Sequence, residues 1–121
     1  MGTREQAKRW IKQNYPADTS NILRASKYYP ASDIWFFTFP ESFFAPARMG
    51  DLNILLQYKN EPDEFHFLKV PFSFFRENRE RFDIRTTGDK FDLHISAKKR
   101  NWLSCERSKN ISFKNFEQYK I

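Results

Sequence analysis

Basic side chains gather near the C-terminal end of the chain, around a tryptophan. Lys98, Lys99 and Arg100 are consecutive, and Trp102 follows two residues later. Clustered cations attract nucleic-acid phosphates because binding releases condensed counterions, and an aromatic ring among them can stack on an unpaired base. We therefore expect these three cations to contact phosphate and Trp102 to stack on a base. The alternative is a solvated charged face, with the indole packed in the core.

A second group of cations lies near the N-terminus. Arg4, Lys8 and Lys12 recur every four residues, a spacing that places them on one face of a predicted helix. Lys8 and Lys12 are predicted phosphate contacts, and Arg107 and Lys109 would extend the C-terminal group. Because the ends of a small domain often lie close together, we expect the two groups to form one basic face.

The formal net charge of +6 is concentrated at the two ends of the chain. Residues 1–32 carry six basic and two acidic side chains, and residues 93–121 carry seven basic and two acidic ones. Acidic residues outnumber basic ones between these segments. Such a distribution favours an anionic partner, and DNA or RNA is the first hypothesis, although basic patches also promote solubility and bind acidic proteins.

Carboxylates at the starts of two predicted strands suggest a metal-dependent enzyme. Asp51 immediately precedes one predicted strand, and Glu64 and His66 lie at the start of the next. Two carboxylates could bind Mg²⁺, which prefers oxygen ligands and activates water, so a divergent Mg²⁺-dependent nuclease is the third hypothesis. His66 stands where the nuclease pattern requires lysine, and the match is therefore incomplete. We assign no catalytic residue and expect a protein that is not an enzyme, with these three residues as the weaker candidates.

Two further patterns resemble catalytic or metal sites only in their residue types. Asp92, His94 and Ser96 alternate along a predicted strand, but side chains at that spacing lie about 7 Å apart, too far for a Ser–His hydrogen bond. We interpret them as the polar face of the strand. Cys105 is the only cysteine, and it cannot form a structural zinc site with two scattered histidines. The sequence predicts no metal or cofactor site, and a lone cysteine favours the reducing cytoplasm.

Adjacent phenylalanines suggest an interface. Neighbouring rings point in different directions along the chain, so a small core has difficulty absorbing every such pair. Phe43 and Phe44 stand beside a predicted loop and are candidates for an exposed patch that joins two copies of the chain. A homo-oligomeric protein-interaction module, such as a homodimer, is therefore the second hypothesis.

The elements that must position these residues follow an α+β pattern. We predict one domain over residues 1–121, with a mainly antiparallel sheet of five to seven strands, an N-terminal helix and a short second helix packed on it. Residues 98–121 form a basic, partly irregular C-terminal segment, with an edge strand near Ile111 and Phe113. The predicted helices cover 3–14 and 71–80, and the predicted strands cover 21–29, 33–39, 52–59, 64–70, 81–85 and 90–96.

The composition places the chain among folded proteins with an aromatic core. Hydrophobic residues make up 40% of the chain and aromatic residues 18%, which is too apolar for a disordered segment. No run approaches the roughly 20 apolar residues of a membrane span. We therefore expect a small cytoplasmic binding or accessory protein that engages nucleic acid through a basic face built from its two ends.

Overall fold

In the computed structural model, residues 2–106 and 116–121 are described. The N-terminal helix α1 spans Thr3–Asn14, and the short helix α2 spans Phe72–Glu77. Neither helix of the described chain has the length and apolar character needed to cross a lipid bilayer. The strands are β1 (Ile22–Ser26), β2 (Tyr28–Tyr29), β3 (Ile34–Pro40), β4 (Asp51–Gln57), β5 (Phe65–Pro71), β6 (Asp83–Ile84), β7 (Lys90–Ser96) and β8 (Cys105–Glu106).

The strands divide between two sheets. The first sheet has the order β1-β4-β5, with β1 parallel to β4 and β4 antiparallel to β5. The second sheet has the order β2-β3-β7-β6, all antiparallel, and β8 also pairs with β7. The predicted α+β class, with its mainly antiparallel pairing and N-terminal helix, is confirmed. The division into two sheets is an addition that the sequence pattern did not reveal.

The predicted strand over residues 21–29 is where the chain passes from one sheet to the other. It breaks at Lys27, so that β1 joins the first sheet and β2 joins the second. The sheets stay in contact at this point, because the backbone N–H of Phe36 in β3 donates to the Ser26 hydroxyl at 3.0 Å. The break allows β1 and β3 to follow each other in the chain while lying in different layers.

The core lies between the two sheets, and α1 covers the outer face of the first one. Successive strand residues point to opposite faces, so β4 divides its side chains between two apolar clusters. Ile54 packs towards the second sheet in the larger cluster, whereas Leu55 packs with Ala7 and Ile11 of α1 in the smaller one. In the described chain, α1, the first sheet and the second sheet therefore stack in that order.

Phe43 and Phe44 are buried, with 1% and 5% of their surface exposed, so the exposed patch expected of them is wrong. They lie in a 3₁₀ turn, Glu41–Phe44, that packs against α2. The ring centroid of Phe43 is 5.1 Å from that of Phe72, and the ring of Phe44 is 4.3 Å from that of Phe91. The core absorbs both rings because the turn and α2 together close one of its ends.

Several C-terminal predictions lie outside the described residues. These are the edge strand at Ile111 and Phe113 and the phosphate contacts at Arg107 and Lys109. After them, the backbone of Lys120 forms an antiparallel bridge with Leu68 of β5. The described end of the chain is therefore attached to the outer edge of the first sheet.

Candidate functional site

A groove of about 460 Å³ runs between α1 and β1. Every charged side chain that the described residues contribute to its lining is basic, and three aliphatic side chains supply its apolar part. The cations are Arg4, Lys8, Lys12 and Arg24, and the aliphatic residues are Ile11, Ile22 and Leu23. This combination suits an anion that also carries an apolar portion.

The local fold of the N-terminal segment explains why these cations converge. Ala7 and Ile11 are buried against the first sheet, which fixes the rotation of α1 and leaves Arg4, Lys8 and Lys12 beside β1. Successive cations on this helix face are about 6 Å apart along the axis, because four residues rise 1.5 Å each. A short 3₁₀ turn, Pro16–Asp18, then returns the chain so that β1 lies against α1 and adds Arg24 to the same groove.

Neighbouring carboxylates do little to neutralise the groove. The carboxylate of Asp18, just before the groove-lining segment, lies 2.8 Å from the ammonium of Lys69 and is already paired. Lys8 lies 3.9 Å from Glu5, but both side chains are well exposed, and an exposed pair at that distance contributes little. The groove cations therefore keep most of their positive potential.

Arg24 stands at the end of the groove that leads towards Arg48. Its guanidinium carbon is 5.4 Å from the ring centroid of Phe43, and the guanidinium carbon of Arg48 is 5.5 Å from that same centroid. The pKa of Arg24 is lowered, first by partial burial and then by the positive charges of Arg4 and Arg48. The charges of Arg4 and Arg48 thus both act on Arg24, and we call these three residues the arginine cluster (Arg4, Arg24 and Arg48).

Lys98, the first of the predicted C-terminal cations, is engaged in a local structure. Its ammonium lies 2.7 Å from the Glu106 carboxylate and 3.1 Å from the Ser32 carbonyl. The buried Ser96 hydroxyl accepts from the Lys98 backbone N–H and donates to Asn101, which shapes the turn. Lys98 is thus held in a structural ion pair.

Lys99 and Arg100 are exposed in the turn that follows β7 of the second sheet. Lys8 and Lys12 belong to α1, on the far side of the first sheet. The two predicted groups of cations therefore lie in different layers. The further cation that lies beside Lys8 and Lys12 is Arg24 of β1, which lines the same groove.

Trp102 is half-buried and packs against the core. Its ring centroid is 5.6 Å from that of Trp35 and 5.2 Å from that of His66, both edge to face. The indole therefore has a packing role at this end of the core. Its predicted role as a base-stacking residue stays a prediction.

The three nuclease candidates do not converge. In the antiparallel β4–β5 hairpin, Asp51 pairs with Pro71, whereas Glu64 adjoins Phe65 at the other end, which puts the carboxylates roughly 20 Å apart for a seven-residue strand. Within residues 2–106 and 116–121, no group of three or more His, Cys, Asp or Glu side chains could hold a metal ion. The two carboxylates considered under the third hypothesis do not meet, because an antiparallel hairpin places the start of one strand beside the end of the other.

Glu64 and His66 have structural partners. The carboxylate of Glu64 accepts a hydrogen bond of 3.2 Å from the Trp10 indole. The ring of His66 stacks on Tyr58, with the centroids 4.4 Å apart. Burial, followed by the positive charges of Lys120 and Lys59, lowers the pKa of His66 to about 4. His66 is therefore neutral at neutral pH.

The sequence patterns missed Arg24 and Arg48. Arg24 is the only charged residue in the segment Asn21–Ser26, and a single cation in a predicted strand is a weak signal. Its importance depends on α1 lying beside β1, which no local pattern reveals. The chain matches no protein-family model, no curated protein and no solved structure.

Proposed function

We propose that this is a non-enzymatic nucleic-acid-binding protein whose groove between α1 and β1 holds the phosphate backbone. The observation that carries the proposal is the convergence of Arg4, Lys8, Lys12 and Arg24 on one groove whose described charged lining is entirely basic. The half-buried Cys105 is consistent with a reducing cytoplasm, where we place the protein as part of this proposal.

A row of cations favours a repeating anion over a single one. Arg4, Lys8 and Lys12 succeed one another at about 6 Å along the helix axis. One isolated anion would occupy only part of such a row, whereas a phosphodiester backbone offers a charge to each position in turn. Each neutralised phosphate releases counterions, which supplies affinity without base recognition.

The size and the apolar part of the groove favour a single strand. Its volume of about 460 Å³ falls in the range of roughly 300–1,000 Å³ that holds small ligands, so a short stretch of one strand fits. The partly exposed Ile22 and Leu23 can then contact sugars or an unstacked base. Positively charged grooves that follow the phosphate backbone are a common feature of proteins that bind single strands.

Fluorescence anisotropy with a labelled single-stranded oligonucleotide at low salt tests the proposal. We expect the double variant Lys8→Gln with Lys12→Gln to weaken binding at least about tenfold, because two phosphate contacts are lost. The matched control is Lys99→Gln with Arg100→Gln, which removes the same charge from the turn after β7. Circular dichroism verifies that both variants are folded.

The control also decides between the two groups of cations. If the Lys99 and Arg100 variant loses as much affinity as the Lys8 and Lys12 variant, net charge and not the groove governs binding. If the wild-type protein binds neither DNA nor RNA strands at low salt, the proposed function is wrong.

A further inference from the structure

Arg24 and Arg48, which both lie over the ring of Phe43, differ in their ion pairing from Arg79, which lies over the ring of Phe44. The guanidinium of Arg79 lies 5.1 Å from the ring centroid of Phe44, and its charge is balanced by Glu41 at 3.0 Å. Arg24 and Arg48 share the ring of Phe43, but no carboxylate in the described part of the chain forms an ion pair with either. The arginine over Phe44 thus has its charge balanced by a carboxylate, whereas the two arginines over Phe43 do not.

Packing holds these two arginines in place. The guanidinium of Arg48 lies 5.5 Å from the ring centroid of Phe72 as well as that of Phe43, so it is fixed above two core rings. The carbonyl of Arg48 accepts a hydrogen bond of 2.7 Å from Arg76, which anchors the loop that carries Arg48. Arg24 projects from β1, a strand of the first sheet. The guanidinium groups of Arg24 and Arg48 are therefore positioned by contacts with buried rings of the core.

Like charges held together without a counter-charge are unfavourable in the free protein. Mutual repulsion raises the free energy of the folded state, and a bound anion removes this cost. Structural arginines are ordinarily paired, as Arg79 is with Glu41. An unpaired cluster of Arg4, Arg24 and Arg48 is therefore better explained by an anionic ligand than by a contribution to folding.

We propose that the arginine cluster binds a terminal phosphate of the nucleic-acid strand that occupies the groove. This inference rests on the proposed function and identifies the form of nucleic acid that is preferred. Arg4 belongs both to the row of groove cations and to the arginine cluster. A strand that lies along Lys12 and Lys8 would therefore continue past Arg4 to Arg24 and Arg48.

The chemistry of a terminal phosphate matches the cluster better than an internal one does. A phosphomonoester carries a charge of about −1.5 to −2 at neutral pH and has three acceptor oxygens, whereas an internal phosphodiester carries a single charge. Guanidinium groups bind such oxygens in a bidentate manner, which lysine cannot do. The groove has lysines at Lys8 and Lys12, where internal phosphates would lie, and arginines at its end.

The test compares oligonucleotides of one sequence that end in a 5′-phosphate, a 3′-phosphate or only hydroxyl groups. We expect one of the phosphorylated strands to bind the wild-type protein about tenfold more tightly than the hydroxyl strand, as for one or two added charge-assisted hydrogen bonds. Which end is preferred tells the direction of the strand in the groove.

One variant and one control locate the effect. Arg48→Gln should lose the preference for the terminal phosphate while still binding the hydroxyl strand through Lys8 and Lys12, because Arg48 does not line the groove. Arg79→Gln should keep the preference, because Arg79 is paired with Glu41. Equal affinity of the wild-type protein for all three strands would overturn the inference and leave the groove proposal intact. Absence of binding to every strand would overturn the proposed function itself.

A second measurement does not depend on oligonucleotides. Inorganic phosphate should raise the melting temperature of the wild-type protein relative to chloride at equal ionic strength, since it relieves the repulsion in the cluster. Arg48→Gln should reduce this shift, and Arg79→Gln should not. The same phosphate response in Arg48→Gln as in the wild type would contradict the inference.

Discussion

The indole Nε1 of Trp35 donates a hydrogen bond of 2.9 Å to the backbone carbonyl of Gln57. Trp35 lies in β3 of the second sheet and is fully buried, whereas Gln57 ends β4 of the first sheet. This bond therefore connects the two sheets from within the core. The side chain of Gln57 continues the connection towards α1, since it donates to Gln6 at 3.3 Å.

Replacing Trp35 by phenylalanine should destabilise the protein by about 2–4 kcal/mol, because it leaves a core carbonyl unpaired and creates a cavity. The matched control is Trp10→Phe, whose indole bond to Glu64 is exposed. We expect that variant to lose less than about 1 kcal/mol. Urea denaturation monitored by far-ultraviolet circular dichroism measures both. Similar losses in the two variants would contradict the connecting role of Trp35.

His66 should make stability depend on pH between its ordinary pKa and its native one. Its pKa is lowered from 6.5 to about 4 in the folded protein, so the unfolded chain takes up the proton first as pH falls. The stability contributed by neutral His66 is present above the ordinary pKa and is lost on acidification through the native value. After allowance for its partial exposure, we expect a loss of about 2 kcal/mol relative to His66→Phe.

Denaturant titrations of the wild type and His66→Phe across this pH range measure the difference. His94 is present in both proteins, so its contribution to stability drops out of the difference between them. Parallel stability curves for the two proteins would show that His66 titrates normally.

The salt dependence of nucleic-acid binding should report the number of groove cations. For single strands, the slope of log K against log salt changes by about 0.7 for each phosphate contact. Lys12→Gln should therefore reduce the slope by about that amount, and Lys90→Gln, an exposed cation at the start of β7, should leave it unchanged. Anisotropy titrations at several salt concentrations provide the slopes. An equal reduction in both variants would refute a specific contact at Lys12.

Cys105 should react slowly with thiol reagents while the protein is folded. Burial, with a smaller contribution from the charge of Glu106, raises the pKa of its thiol to about 12. Because the thiolate is the reactive form, we expect labelling by a disulfide reagent near neutral pH to be at least about a hundredfold slower than in denaturant. Absorbance of the released chromophore follows the reaction. Rapid labelling of the native protein would mean that this region opens readily.

The boundaries of several elements followed from local patterns. The i, i+3, i+4 spacing of Ala7, Trp10 and Ile11 predicted α1, and the helix observed over Thr3–Asn14 matches it. Alternating apolar residues predicted β7, where Phe91, Leu93 and Ile95 are all buried. These patterns succeed because burial of one face imposes a period that a few neighbouring residues reveal.

The partner of each strand was much harder to predict from the sequence. The parallel pairing of β1 with β4 joins residues about thirty positions apart, such as Ile22 and Leu52. The same residue types could have paired β1 with a neighbour in sequence. Periodicity shows which face of a strand is apolar, but the partner depends on how all the apolar faces are covered at once.

Phe43 illustrates the same difficulty for the candidate site. Its position beside a loop predicted exposure, yet it is buried and supports Arg24 and Arg48 instead. The two arginines lie far apart in the sequence and on different elements. Their proximity is not evident until the ring of Phe43, which both contact, is in place.

The amino-acid sequence by itself determined the α+β class, the aromatic core, the excess of positive charge and the cationic face of α1, because composition and short-range periodicity express these properties directly. Only the tertiary structure decided that Lys8 and Lys12 face Arg24 across a groove, and that Lys99 and Arg100 lie in another layer. The reason is physical: the convergence of side chains is set by the pairing of remote strands, and that pairing minimises exposed apolar surface over the whole chain.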